Sequence, residues 1–478
     1  MSGFFGVAAH DSCTADLFYG TDYHCHLGTR RGGLAVLDGG RFTRFIHDIT
    51  NAQFKSKFEH DIGQMQGACG IGVISDYEDQ PLIIGSHLGT YAIVTVGRIG
   101  NVTQLAEQAC RDRGVHFSEM AGNVVNPTEL IATLINREDS FVAGINAAQE
   151  AIDGSCSLLI LTQEGIYAAR DRYGRTPVII GQGEAGHAVT MESCALPNLG
   201  YRQVHELGPG EIVLIQAEGF TTLNPPGDCL QVCAFLWVYY GYPASSYHDI
   251  NVEVARYRSG GVLARRDDAE IDCVAGIPDS GTAHALGYAE AAGVRYCRPF
   301  VKYTPTWPRS FMPQQQDLRD LVARMKLIPI PELIAGQRVA FCDDSIVRGT
   351  QMKDCLRRVY EFGAAAVHMR PACPPLVFGC NFLNFSRSRS VMELAARRAI
   401  AEISGQQDVD LRPYTDPDND RYAAMVERIG QRLEVSSLRY QRLDDLVTSI
   451  GLPKHQLCTY CWDGCDGRVG CPHARPGT

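Results

Sequence analysis

Residues 339–351 read VAFCDDSIVRGTQ, and no other stretch constrains this chain as tightly. An apolar strand ends in two adjacent carboxylates, Asp343 and Asp344. A short loop of Ser345, Ile346, Val347, Arg348 and Gly349 follows, and Thr350 opens a helical segment. Backbone N–H groups at a helix N-terminus, joined by Ser and Thr hydroxyls, make a cradle for a phosphate. The paired carboxylates would repel that anion, so they belong beside ribose hydroxyls or a magnesium ion. An isolated Asp-Asp pair at a strand end is usually a solvated turn, but the whole strand–loop–helix arrangement is far more specific.

The same rhythm occurs upstream, where DCVAGIPDSG runs into the helical TAHALGYAEAAGV. After Thr350, QMKDCLRRVYEFG closes on Gly363, a helix C-cap residue. From about residue 230 onward, alternating strand, loop and helix predict a parallel sheet with crossover helices. Residues 1 to about 228 differ, with short apolar segments such as GGLAVLDGGRFTRFI, SCSLLILTQEGIYAAR and TPVIIG broken by turn residues. With helical stretches near 103–113 and 127–136, they predict a layered α/β domain of antiparallel sheets. NPPGDC (224–229) reads as a linker. A last helix, SVMELAARRAIAEIS, is expected to give way to a polar stretch and then a Cys-rich tail.

At 478 residues the chain is too long for one core, and roughly two to three domains are expected. Hydrophobic content of 45% and charged content of 21% are those of a soluble globular protein. A net charge of -10 argues against a nucleic-acid partner. The most apolar run, PLIIGSHLGTYAIVTVG, is interrupted and too short to span a bilayer, and no basic segment precedes an apolar one at the N-terminus. A cytoplasmic protein with no membrane partner is expected. Its 18 cysteines are then free thiols rather than a disulfide framework, with Cys273 and Cys342 reading as small buried hydrophobes. Cys458, Cys461, Cys465 and Cys471 instead crowd a Gly-rich tail, a pattern that suits a soft metal or an iron–sulfur cluster.

The DDSIVRGT string resembles the phosphoribosyl pyrophosphate (PRPP) signature of type I phosphoribosyltransferases. Together with IPDSG it resembles one family, the glutamine PRPP amidotransferases (amidophosphoribosyltransferases). YPASSYHDINVEVARYRSG, ALGYAEAAGV, LVARMKLIPI, RDRYGRTPVIIG and ESCAL match that family in order, over nearly the whole chain. The resemblance implies an Ntn-hydrolase-like αββα glutaminase domain over 1–228 and a type I phosphoribosyltransferase domain over 229–440. A C-terminal iron–sulfur-binding tail would follow over 441–478. It also implies that Pro278, Asp279, Ser280 and Gly281 hold pyrophosphate and that Asp343 and Asp344 hold the ribose. Ser345, Val347, Arg348, Gly349 and Thr350 would hold the 5′-phosphate, and Lys302 and Arg324 would assist catalysis with magnesium. Many members bind a structural 4Fe-4S cluster through cysteines that fall on Cys233, Cys380, Cys458 and Cys461. Zinc on the four tail cysteines is the competing reading. Members of the family are homo-oligomers, so a dimer or tetramer is implied.

The chain begins MSGFFGV, and a terminal Ser whose own α-amino group serves as base would be a complete nucleophile unit. The family uses a terminal Cys here, and Ser2 stands in its place. By the resemblance, the Arg for the glutamine carboxylate is replaced by Ile74. The oxyanion-hole Asn is replaced by Ile99 in RIGNV, and the Asp for the glutamine amino group by Pro127 in NPTE. The glutaminase site therefore reads as degenerate. The loop that closes over PRPP is also rebuilt, with Tyr303, Trp307 and Arg309 in KYTPTWPRSF, and its aromatics suit a planar acceptor. The expected activity is displacement of pyrophosphate from PRPP by a non-glutamine nitrogen nucleophile, a purine-like (7-deazapurine) base in nucleoside biosynthesis. The alternatives are a phosphoribosylamine synthase using free ammonia and a non-catalytic PRPP-binding regulatory paralogue.

Overall fold

The structure, a computed structural model, describes residues 2–113, 115–121, 124–303, 327–384 and 390–466. The first strand, β1 (Gly3–Ala9), is buried along its whole length. Because side chains alternate across a strand, Phe4 enters one apolar layer and Phe5 the other. That requires a covered sheet, which the next elements supply: β2 (Arg31–Asp38), β3 (Arg41–Asp48), β4 (Cys69–Ser75), β5 (Leu82–Ser86) and β6 (Gly89–Ile99). After the helices come β7 (Gly154–Thr162), β8 (Gly165–Ala169), β9 (Ile179–Gln182), β10 (Gly186–Thr190), β11 (Arg202–Glu206), β12 (Ile212–Ile215) and β13 (Phe220–Asn224).

These form two sheets with antiparallel pairing. One runs β11-β9-β10-β1-β4-β2-β3 and the other β13-β12-β8-β7-β6-β5. Phe4, Ile71, Val73, Leu159, Val189 and Val213 fill the layer between them. The outer face of the first sheet is covered by α1 (Thr14–Asp22) and α2 (Phe54–Ile62) through Leu17, Phe54 and Phe58. That of the second is covered by α4 (Pro127–Ile135) and α5 (Phe141–Ala151), with α3 (Val102–Arg113) beside α4. The result is the expected αββα layering.

The second half is built on five strands in the order β16 (Arg295–Tyr296), β15 (Cys273–Gly276), β17 (Arg338–Asp343), β18 (Ala366–Pro371) and β19 (Ser437–Leu438), all parallel. Helices α6 (Val252–Arg265), α7 (Thr282–Ala292), α8 (Thr350–Glu361) and α9 (Ala395–Ser404) accompany them. The stretch expected to be merely polar contains α10 (Asp420–Leu433) and α11 (Leu443–Ile450). Met425, Ile429 and Leu433, spaced four apart, put one apolar stripe of α10 into the core, and the charges between them face outward. The tail returns to the domain junction, where β20 (Leu457–Cys458) pairs in parallel with Val232–Cys233. No helix of the described residues is long and apolar enough to cross a membrane. Among the described cysteines, Cys229 alone departs from the expected free thiols, being disulfide-bonded.

Candidate active site

The site forms at the carboxyl ends of two neighbouring parallel strands, where open α/β sheets bind ligands. Register pairs Gly276 at the end of β15 with Cys342 near the end of β17. The Pro278–Asp279–Ser280–Gly281 turn is thereby held against the Asp343–Asp344 turn. Ile277 N donates to Cys342 O at 2.9 Å, and Ser280 Oγ donates to Asp343 Oδ1 at 2.7 Å. The Pro278–Asp279 peptide bond is cis. A Cβ on Gly281 would fall 2.0 Å from Cys342 O, so only glycine permits this approach of backbone to backbone.

Asp343 and Asp344 are both buried. Asp343 Oδ1 also accepts from Asp344 N at 2.9 Å, and Ser345 Oγ donates to Asp344 Oδ2 at 2.6 Å. Burial and then the neighbouring Asp344 charge raise the Asp343 pKa. Burial raises Asp344 as well, opposed by its hydrogen bond from Ser345 and, more weakly, by the Arg256 guanidinium. Gly349, at a left-handed φ of 77°, turns the chain into α8 and leaves its first N–H groups at the loop mouth. Val347 O accepts from Ala395 N at 2.8 Å, and Arg348 pairs with Glu393 at 2.5 Å, so α9 and the turn before it hold the loop.

Lys302 lies on a short strand, Phe300–Lys302, paired with Leu327–Pro329, and its Nζ is 2.5 Å from Asp279 Oδ2. Tyr303 is 40% exposed, while Trp307, Arg309 and Arg324 lie outside the described residues.

In the amino-terminal domain, β1 and β4 pair so that Gly3 faces Ile74. Ser2 therefore faces Ser75, their hydroxyls 3.4 Å apart. Ile74 is wholly buried in the outer-face core beside Phe5 and Leu17. The residue opposite the candidate nucleophile is thus Ser75, next to Ile74, which the resemblance puts in the place of the carboxylate-binding Arg. Period-two register was the signal that would have found it. Beside it, Glu78 is held up to about 7 by burial and hydrogen-bonds Ser75. Asp76 Oδ1 accepts from Thr29 N at 2.7 Å. Ile99 packs toward α3 and α4. Asn101, the amide remaining in that segment, is committed to Ala151 O at 3.0 Å and Asp153 N at 2.9 Å. Pro127 is the first residue of α4, capped by Asn126, whose Oδ1 accepts from Thr128 N.

The four junction cysteines come from three segments to one buried place. Cys233 pairs with Cys458 across the parallel ladder, and Cys461 O accepts from Val377 N and Phe378 N, both at 3.1 Å. Phe382 N and Leu383 N donate to Cys380 Sγ at 3.4 and 3.3 Å. A hydrogen bond from Cys461 first, then these N–H groups and the Arg175 charge, hold Cys380 down to about 7 against burial. Cys461 is raised in turn. Cys465 is exposed, and Cys471 lies outside the described residues. Among the described residues, no group of three or more His, Cys, Asp or Glu is placed to hold a single metal ion.

This arrangement has counterparts among known proteins. Residues 70–197 match a family model described as a glutamine amidotransferase domain. The amidophosphoribosyltransferase of Synechocystis sp. is 31% identical over 426 residues, covering 86% of this chain and 85% of the relative. The chain belongs to the amidophosphoribosyltransferase family. Its relatives are PRPP-dependent glycosyltransferases, and the Bacillus subtilis member is 30% identical over 91% of both chains. A solved glutamine PRPP amidotransferase from B. subtilis, complexed with ADP and GMP, superposes with a TM-score of 0.83 at 27% identity, covering 97% of both chains. The family's two-domain architecture is therefore the fold of this chain, with the αββα glutaminase-type layers first and the parallel transferase sheet second.

Proposed function

We propose that this family member displaces pyrophosphate at C1 of PRPP with a nitrogen nucleophile that does not come from glutamine. The acceptor we infer is a purine-like base of the 7-deazapurine class, in nucleoside biosynthesis. One observation carries the first part. Where glutamine recognition needs a cation for the substrate carboxylate, Ser2 faces Ser75, and Glu78 and Asp76 stand behind it. Neither serine supplies the bidentate donor that a guanidinium would, and the neighbouring Asp76 and Glu78 bring no positive charge in its place.

The transferase side keeps its working parts. The N–H groups opening α8, with Ser345 and Thr350, would hold the 5′-phosphate, and Asp343 and Asp344 would accept hydrogen bonds from the ribose hydroxyls. Ser280 fixes the Asp343 carboxylate in place. The turn at 278–281 would receive pyrophosphate, with Lys302 beside it. The C1–O bond to pyrophosphate breaks as the C1–N bond forms through an oxocarbenium-like state. Catalysis is then positioning and electrostatics. Bound magnesium would neutralise charge on the pyrophosphate leaving group.

The thiol set suits a structural 4Fe-4S cluster on Cys233, Cys380, Cys458 and Cys461. All four thiols are buried, one is held toward thiolate, and Cys465 is exposed. The assembly we infer is a homo-oligomer, a dimer or tetramer.

The test is pyrophosphate release from PRPP and magnesium by anaerobically purified protein, with glutamine, ammonium or a panel of heterocyclic bases. Release with a base and none with glutamine is expected, and Ser2→Cys alone should not restore glutamate formation. Rapid turnover with glutamine overturns the reading. Release with ammonium only would assign phosphoribosylamine synthesis, and release with nothing would assign a regulatory PRPP binder.

A further inference from the structure

Among the described residues, three arginines are essentially without solvent contact: Arg170, Arg370 and Arg175. The first two are fully explained. Arg170 donates to the carbonyls of Thr176, Leu207 and Gly174 and lies 3.5 Å from Glu206, while Arg370 pairs with Asp267. Arg175, 1% exposed, has no such account. Its Nη2 donates to Asp466 O at 3.2 Å, but its Nε and Nη1 have no hydrogen-bond partner. Among the described residues, no carboxylate lies within ion-pairing distance of it. Its guanidinium sits 3.6 Å over the Phe382 ring and 4.8 Å over Tyr173. An unpaired buried cation costs several kcal/mol, on the order of a sizeable part of a domain's stability, so it implies an anion nearby.

The neighbours identify that anion. Cys233 N donates to Arg175 O at 3.1 Å, which fixes the arginine backbone on one ligand cysteine. Phe382, beneath the guanidinium, is two residues past Cys380, and its own N–H donates to the Cys380 sulfur. The Arg175 charge also acts on the Cys458 and Cys380 thiols, favouring their thiolates. Arg175 therefore stands beside the cysteine set from the amino-terminal domain, with its backbone on Cys233 and its guanidinium on the ring that follows Cys380.

We propose that Arg175 is the resident counter-ion of the group held by Cys233, Cys380, Cys458 and Cys461. The inference rests on the iron–sulfur reading above. Four thiolates around an iron–sulfur core leave a net anion, and Arg175 is the buried cation placed to offset it. Adding one electron makes that anion more negative without forming or breaking a bond. A fixed cation favours the reduced form, raising the reduction potential and slowing oxidative loss of the cluster. Arg175 acts here as a positioning and charge-compensating residue, with no contact to PRPP. It also gives the depleted glutaminase domain a task, since that domain supplies the cation.

The experiment uses full-length protein purified without oxygen, in wild-type form and as Arg175→Met, Arg175→Gln and Arg175→Lys. Iron and acid-labile sulfide in the wild type test the cluster reading itself. Dithionite titration followed by electron paramagnetic resonance, and bleaching of visible absorption in air, test Arg175. R175M is expected to shift the one-electron equilibrium about tenfold toward the oxidised form, roughly 59 mV more negative, and to bleach several-fold faster. R175K should recover most of both effects. If R175M does not fold, the R175Q and R175K pair decides, since both can hydrogen-bond and only one is charged. A loaded wild type whose neutral variants keep its potential and bleaching rate overturns the Arg175 assignment alone. A wild type without iron and sulfide overturns the cluster reading, and the counter-ion role with it.

Discussion

Single residues in the amino-terminal domain show how its frame is held together. His24 is an example of the frame. It is buried beside Gly3, with Nδ1 2.9 Å from Gly20 O and Nε2 3.2 Å from Thr190 Oγ1. Burial pulls its pKa from 6.5 down to about 4, so it is neutral when folded. The unfolded chain takes up the proton at higher pH. The contribution of His24 is therefore complete above about pH 6.5 and is lost as pH falls toward 4, at about 1.4 kcal/mol per unit. Urea titrations between pH 7.5 and 4.5 should show this slope in the wild type and a flatter one in His24→Asn. Equal slopes would mean that the histidine is hydrated or charged in the native state.

At the level of elements, the sequence was most legible where local chemistry and fold agree. The strand–DDSIVRGT–helix unit could be read directly because its glycine, its hydroxyls and its apolar strand all specify one turn. The transferase sheet followed from the alternation of units. Short helices were harder to see. In α1, TADLFYGTD has an unremarkable face and is helical because Leu17 and Phe18 pack on β1 and β4. The α10 stripe was hidden in a run of charges, and Ser75 was missed because only cross-strand register places it. The α10 stripe carries its own test. Met425 is fully buried, so Met425→Ala should cost about 2–5 kcal/mol and lower the urea midpoint of the transferase domain. An unchanged midpoint would show that α10 is not docked in solution.

Across the whole molecule, the two domains are joined through the cysteine junction rather than by the linker alone. Arg98, near the end of β6, donates to Cys380 O, and Asn384 Nδ2 donates to Gly97 O at 3.1 Å. Gln231 N donates to Tyr173 O at 2.7 Å. The segment that carries Gly97 and Arg98 thus braces the loop of Cys380. Arg98→Ala removes a charge-assisted hydrogen bond of about 1.5–3 kcal/mol. Amide exchange at Phe382 and Leu383 should then speed up by roughly tenfold or more, while β7 stays protected, because 1.4 kcal/mol is about a factor of ten. Exchange that rises equally in both places would point to general loosening instead.

The parallel pairing of Val232–Cys233 with Leu457–Cys458 has a consequence for biosynthesis. Strand partners 225 positions apart cannot meet until almost the whole chain has left the ribosome. Both halves can collapse on their own timetable, yet the seam between them waits for the final segment. A polypeptide that stops before Leu457 lacks the strand partner of Val232–Cys233 and two of the four junction thiols.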